Sequence, residues 1–193
     1  MPYNPQKHHR RSIRLKGYDY SQEGAYFITI CCHNRQGIFG EIKNGKMHLN
    51  KYGKIAETEW RKTAVIRNNV ELDEFIIMPN HVHGIIKITD VVGAYCNTPQ
   101  QIRNTTRQIR NTPQQIHNTT QQTGFRSPSQ TIGSIIRGFK STTTKQINQI
   151  RHTPGLPVWQ RNYYEHIIRN KQALHRIRYY IINNPKKLKA TKK

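Results

Sequence analysis

Acidic residues are scarce in this chain and nearly absent from its second half. Of 193 residues, 32 are Lys or Arg and 10 are Asp or Glu, giving a formal charge of +22 at pH 7. Beyond Asp90 the only acidic side chain is Glu165. A merely solubilising surface mixes both signs, whereas so one-sided an excess repels itself in a compact fold unless a polyanion neutralises it. Nucleic acid is therefore the expected partner. Long apolar runs are also missing: no stretch reaches the roughly 18 residues of a spanning helix, and the N-terminal MPYNPQKHHRRSIRLKGYDY has no apolar leader core. No membrane association and no secretory leader are expected. Cysteine is confined to Cys31, Cys32 and Cys96, an odd count with two adjacent, which excludes a disulfide framework and suits a cytoplasmic location. Cys31-Cys32-His33 lacks a second CxxC or HxxxH with which to build a zinc site. Hydrophobic content of 34% is low for a fully packed globule, so part of the chain is expected to lie outside the core.

The chain nevertheless carries clear structural signals. Residues 1–24 read as a basic arm. AYFITICC (25–32) is β-branched and aromatic throughout, and His33-Asn34 follows as a turn, so a buried strand is expected. Asn44-Gly45 separates GEIK (40–43) from KMHL (46–49), the signature of a tight hairpin. Asn50 is placed to cap a helix over 51–67, in which Tyr52, Ile55, Ala56, Trp60 and Ala64 recur at helical spacing. VELDEFIIM (70–78) and VHGIIKI (82–88) flank Pro79-Asn80 and read as antiparallel neighbours. Residues 97–121 differ in kind: QIRNTTR, QIRNTPQ and QIHNTTQ form a seven-residue repeat with a single Ile per unit. Coiled coils need two apolar positions per heptad, so this segment reads as a disordered polar insertion. Ser127-Pro128-Ser129-Gln130 has the form of a capping box with Pro at the first helical position, predicting a helix start there. Ile132, Ile135, Ile136, Phe139, Thr143 and Ile147 supply its buried stripe. VWQRNYYEHII (158–168) reads as strand, Asn170 as the start of a helix running to Asn184 and stopped by Pro185, and 186–193 as a basic tail.

The chemistry is concentrated in IIMPNHVHGII (76–86). In a strand, side chains two apart share a face. His81 and His83 therefore stand together with Ile85 and Lys87, while Val82, Ile86 and Ile88 point the other way. Two imidazoles so arranged can grip one divalent ion, which needs further ligands, usually oxygen donors. Glu71, Asp73 and Glu74 on the preceding strand are too far along it to reach, which turns attention to an amide. In KQALHRIRYYIINNP the stripe Ala173, Leu174, Ile177 and Ile181 extends to Tyr180 and Asn184 on the same face. Tyr179 points elsewhere. A phenol and a carboxamide four residues apart, facing a sheet, present a nucleophile and a metal ligand together.

HVH on a strand, followed far downstream by a helix bearing Tyr and a polar residue four later, resembles the single-tyrosine transposases of the HUH nuclease superfamily. RRSIRLKGYDYSQEGAYFITICCHNR, ELDEFIIMPNHVHG, VWQRNYYEHIIRN and RIRYYIINNP, in this order, resemble the REP-associated tyrosine transposase branch. The resemblance covers nearly all of the chain except the heptad insertion. It implies an α+β, ferredoxin-like antiparallel sheet with helices packed on it, one HUH domain spanning 25–185 around the insertion at 97–121. It implies Mg²⁺ or Mn²⁺ held by His81, His83 and Asn184, where the wider family often has Gln at the last position. Tyr180 is then the nucleophile that attacks single-stranded or hairpin DNA, leaving a 5′-phosphotyrosine and a free 3′-OH. The protomer is expected to act as a monomer or a homodimer.

For DNA contacts the sequence offers Arg10, Arg11, Arg14 and Lys16 in the arm, Arg137 and Lys140 on the long helix, and Trp159 and Arg161 near the last strand. Tyr163 and Tyr164 join Trp159 as stacking candidates, each set against plain sheet packing. Two other functions compete. One is a non-catalytic, basic nucleic-acid-binding protein in which the histidines only pack; the other is a different HUH endonuclease, a replication initiator or relaxase. A phosphohydrolase of HxHxH type is disfavoured because position 85 is Ile.

Overall fold

Every second side chain in the middle of β1 (Gly24–Cys31) is sealed from solvent: Tyr26, Ile28 and Ile30 have no exposed surface. The structure is a computed structural model and describes residues 17–89 and 131–188. The arm with Arg10, Arg11, Arg14 and Lys16, the heptad repeat with Cys96, the proposed capping box at 127–130 and the last residues of the tail lie outside the described residues.

β1 occupies the middle of a four-stranded antiparallel sheet. It pairs with β5 (His81–Ile88) on one side and β6 (Tyr164–Ile168) on the other, and β4 (Val70–Met78) flanks β5. Helix α1 (Lys51–Val65) joins β1 to β4, and α2 (Ile132–Arg151) lies between β5 and β6 in the chain. The order β4-β5-β1-β6 with these connections is the ferredoxin-like β-α-β-β-α-β arrangement, as the resemblance implied. A separate hairpin of β2 (Gly40–Lys43) and β3 (Lys46–Leu49) precedes α1, while α3 (Lys171–Ile182) and the short α4 (Asn184–Leu188) follow β6. Among the described residues no helix is long and apolar enough to cross a membrane.

The sheet has two unlike faces. Tyr26, Ile28, Ile30, Val82, Ile86 and Ile88 meet Ala56 and Trp60 of α1 and Ile132, Ile135, Ile136, Phe139 and Ile147 of α2 in the main core. The opposite face carries a smaller cluster, Ile85, Ile168 and Ile181, with Phe27, Ile76, Ala173, Leu174 and Ile177 around it. Burial of apolar area on both faces, at ~25 cal/mol per Å², drives this three-layer packing. The two faces also explain a bulge in β4. Leu72 pairs with Ile86 and Phe75 with Gly84, so Asp73 and Glu74 together oppose Ile85. The extra residue restores the alternation, turning Phe75 toward Trp60 and leaving Asp73 on the α3 side.

Local signals place the helices, with three departures from expectation. Asn50 caps α1 as its side chain accepts from the amides of Tyr52 and Gly53, and Asn170 caps α3 by accepting from Ala173. Helix α2, however, begins at Ile132 with Thr131 as its cap, the Thr131 hydroxyl accepting from the Ser134 amide. Thr131 stands directly before the apolar stripe that opens with Ile132. The expected strand at 158–168 is a strand only over Tyr164–Ile168; before it, Trp159 makes a single bridge to Cys32. Finally α3 stops at Ile182 with Asn183 as its cap, and Pro185 sits inside α4 rather than after the helix. Proline is tolerated in a first helical turn, where its missing N–H would have no partner.

Gly84 lies between the histidine-bearing end of β5 and its apolar end. A Cβ at this position would run into the Trp60 ring and the Phe75 side chain, so the absent side chain is what lets α1 sit on the sheet. Gly84→Ala is expected to destabilise the fold by about 1–3 kcal/mol, the usual cost of overpacking a dense core. Urea unfolding checks this, and an unchanged midpoint would contradict the packing of Trp60 over β5.

Candidate active site

The face of β5 that the main core does not use presents His81 and His83, their ring centroids 4.5 Å apart. Each imidazole is fixed at Nδ1. That of His81 lies 2.6 Å from Asn80 Oδ1, and because a carboxamide oxygen only accepts, this nitrogen carries the proton. Nδ1 of His83 lies 2.8 Å from the Thr29 hydroxyl on the neighbouring strand. The turn bearing Asn80 is itself pinned to the end of β1: the Cys32 amide donates to the Asn80 carbonyl and the Phe39 amide to that of Pro79. Anchoring Nδ1 turns Nε2 of each ring outward as a lone-pair donor, the arrangement metal-binding histidines use.

Tyr180 comes to this pair from α3. Its hydroxyl is 3.2 Å from His83 Nε2, and its ring stands at 66° to the imidazole with centroids 5.2 Å apart. With Nε2 accepting the phenolic hydrogen, Nδ1–H of His83 donates to Thr29. Phe27 lies beneath both groups, stacked on His83 at 5.4 Å and edge-on to Tyr180 at 6.1 Å. Tyr180 is 37% exposed, so the phenol bridges the buried imidazole and solvent, whereas Tyr179 is 67% exposed and turned away.

Burial holds both imidazoles neutral. Desolvation pushes His83 down to about 3, with the neighbouring His81 adding to the effect. His81 falls to about 4, again through burial first and then through the cation of Arg35. Arg35 stands in the turn after β1, at a left-handed φ of 54°, and no motif or periodicity singles it out. Neutral imidazoles are the form a metal ion requires.

The helix that delivers Tyr180 is held to the sheet by an ion pair. Nε and Nη2 of Arg178 donate to the two carboxylate oxygens of Asp73 at 2.8 and 2.6 Å, and Lys87 Nζ lies 2.8 Å from the same carboxylate. Arg178 holds the Asp73 carboxyl far below the usual carboxylate range, with Lys87 and the Glu74 amide assisting and burial opposing. The β4 bulge puts Asp73 where this fork is possible, and Arg178 lies two residues before Tyr180.

The remaining sequence-derived candidates divide. Asn184 is buried but opens α4 after the helix break at Asn183, and it hydrogen-bonds to neither imidazole. The i to i+4 argument that put it beside Tyr180 required an unbroken helix. Among the described residues no group of three or more His, Cys, Asp or Glu is assembled to hold an ion. Trp159 is no stacking platform: it is 6% exposed, lies against Phe39 and Phe139, and donates from Nε1 to Thr143. Lys140 directs its ammonium to the carbonyls of Gln160 and Asn162, 2.8 Å from each, and burial lowers it to about 8. It serves to fix the segment before β6. Arg137 and Arg161 are exposed, on a groove of about 1060 Å³ between α2 and residues 152–163. That groove has no carboxylate in its lining.

No protein-family model matches the chain. Among solved structures, a REP-associated tyrosine transposase bound to a REP hairpin matches with a TM-score of 0.54 at 18% identity, over 91% of this chain and 74% of that one. The molecule thus has the fold of the REP-associated tyrosine transposases. In sequence, an uncharacterised protein of Haemophilus influenzae is 46% identical over 183 residues, 95% of this chain and 92% of that protein. The chain belongs to the same family as this Haemophilus protein.

Two predictions follow from the geometry. The imidazoles bind protons more weakly folded than unfolded, where their value is near 6.5, so stability is full above about pH 6.5 and declines as pH falls toward 4. Urea midpoints in chelator should drop from pH 7.5 to pH 5, and the His81→Gln, His83→Gln double variant should lose less over that interval. Equal slopes would contradict desolvated neutral imidazoles. Asp73→Ala should cost about 1–2 kcal/mol, less than a fully buried pair because Arg178 can be rehydrated. Amide exchange in α3 should accelerate while that of β1 and β5 holds; uniform acceleration would deny the ion pair its role in docking α3.

Proposed function

We propose that this protein is a DNA transposase of the HUH single-tyrosine kind, cutting and rejoining single-stranded or hairpin DNA through Tyr180. The observation that carries the reading is the 3.2 Å approach of the Tyr180 hydroxyl to Nε2 of a neutral His83, with His81 beside it. A polar cluster of this kind is not needed for packing. The strongly basic composition supports a polyanionic substrate, and the similar solved transposase is bound to a REP hairpin, which suggests hairpin DNA for this chain.

The chemistry is one of exchange. The Tyr180 oxygen bonds to phosphorus as the bond from phosphorus to the 3′ oxygen breaks; the phenol loses a proton and the departing oxygen gains one as a free 3′-OH. The 5′-phosphotyrosine retains the energy of the phosphodiester, so a second 3′-OH can reverse the step on another strand. A phenol with its ordinary value near 10 is mostly protonated at neutral pH and needs orientation. Nε2 of the neutral His83 positions the hydroxyl; where that lone pair is given to an ion the hydroxyl would be released toward the phosphate, and the partly exposed phenol delivers its proton to solvent.

His81 and His83, anchored at Nδ1, suit a divalent ion such as Mg²⁺ or Mn²⁺ through Nε2, with oxygen donors making up the rest of its coordination. Bound there, the ion would supply Lewis-acid polarisation of the phosphate. Asn184 remains the proposed third protein ligand. For that role it would have to turn toward the imidazoles from the start of α4.

A labelled single-stranded oligonucleotide carrying a hairpin should form a covalent adduct with the wild-type chain in Mg²⁺ or Mn²⁺. Tyr180→Phe should reduce the adduct at least 100-fold, the order of loss expected for a missing nucleophile, with binding preserved. Undiminished adduct in that variant would move the nucleophile elsewhere; no adduct from the wild type on any such DNA would favour the non-catalytic binder.

A further inference from the structure

We propose that Tyr164 forms a base-stacking subsite that holds a nucleobase of single-stranded DNA next to the phosphate presented to Tyr180. This deepens the function proposed above and rests on it. Thr29 pairs with His83 on one side and with Tyr164 on the other, so the three side chains form one row across the sheet, on the face that carries the imidazoles. Phe27 joins them: its ring lies 5.4 Å from His83, 6.1 Å from Tyr180 and 6.4 Å from Tyr164. Tyr164 meets Phe27 edge-on at 70°, which fixes the phenol ring while 45% of the residue stays open to solvent.

The other aromatic residues of this segment are differently placed. Trp159 is buried and Tyr163 packs against the main core. Tyr164 alone of the three combines exposure with a place beside the imidazole row.

Charge favours a polyanionic occupant. Arg161 is exposed three residues before Tyr164 and Arg176 is exposed one helical turn before Tyr180 on α3, while Glu165, the one acidic residue of β6, is buried. An exposed aromatic ring in the same cross-strand row as the imidazole, in a chain of formal charge +22, fits a base stacked beside a phosphate held at the site. A duplex keeps its bases stacked on one another, so the subsite takes single-stranded or unpaired bases.

The test uses the full chain carrying Tyr180→Phe, so that DNA stays intact, and oligothymidylate with one 2-aminopurine or one abasic residue moved along it, in Mg²⁺. At one position 2-aminopurine emission should be quenched on binding. Adding Tyr164→Ala should abolish that quench and weaken binding about 10-fold, as loss of an aromatic platform does, while Tyr164→Phe should preserve both. An abasic residue at that position should weaken the Tyr164 chain by a similar factor and leave the Tyr164→Ala chain unaffected. Unchanged quench and affinity in Tyr164→Ala would overturn the subsite. Adduct formation by the wild-type chain separates the two proposals. Adduct with stacking insensitive to Tyr164 removes the subsite alone, whereas Tyr164-dependent stacking without adduct supports the subsite and removes the transesterase.

Discussion

Side chains two apart on a strand share a face, and β5 commits one face to the main core and the other to imidazoles. Val82, Ile86 and Ile88 seal the sheet against α1 and α2, and the bare backbone of Gly84 admits Trp60. The same alternation leaves His81 and His83 side by side on the opposite face, where Thr29 and Asn80 hold their Nδ1 atoms. A shift of one residue in the register of β5 would bury two imidazoles in an apolar core and expose three large aliphatic side chains. The register that gives the domain its core therefore also gives the site its geometry.

The second constraint is the docking of α3. Its apolar contacts form a small cluster around Ile85, Ile168 and Ile181, and the fork from Arg178 to Asp73 adds direction to that contact. Direction matters because Tyr180 approaches His83 from the helix, at the edge of the apolar stripe rather than within it. The large positive charge of the chain is kept off the imidazoles themselves. Both are neutral at pH 7, with the cation of Arg35 near His81, a suitable setting for a metal ion and a phosphate.

Much of this was legible in the sequence, for reasons that can be named. The strands at 25–32, 70–78 and 82–88 are short, apolar and bounded by turn residues, and alternation assigned His81 and His83 to one face. Helical spacing likewise separated Tyr180 from Tyr179, which α3 keeps on different sides. Four segments in order carried the resemblance to REP-associated tyrosine transposases, whose fold the molecule has. What escaped depends on contacts between distant residues or on competition between neighbours. The pair Asp73 and Arg178 is 105 positions apart in the chain, and its geometry arises from a bulge that no periodicity announces. Thr29 and Phe27 looked like ordinary strand residues until β1 paired with β5. The ring of Trp159 suggests stacking, but its indole N–H donates to Thr143 inside the core. Pro185 predicts a helix running to Asn184, yet α3 ends at Ile182 with Asn183 as its cap, and that two-residue difference removes the spacing argument for Asn184.

The central claim is that two imidazoles from the sheet and a phenol from α3 converge where one divalent ion would sit. Paramagnetic broadening by substoichiometric Mn²⁺, read in side-chain NMR spectra of the full chain, tests it most directly. The ring signals of His81, His83 and Tyr180 should broaden first and together, ahead of the exposed His48, His152 and His175. Broadening that spares His81 and His83, or that spreads evenly over the exposed histidines, would contradict it.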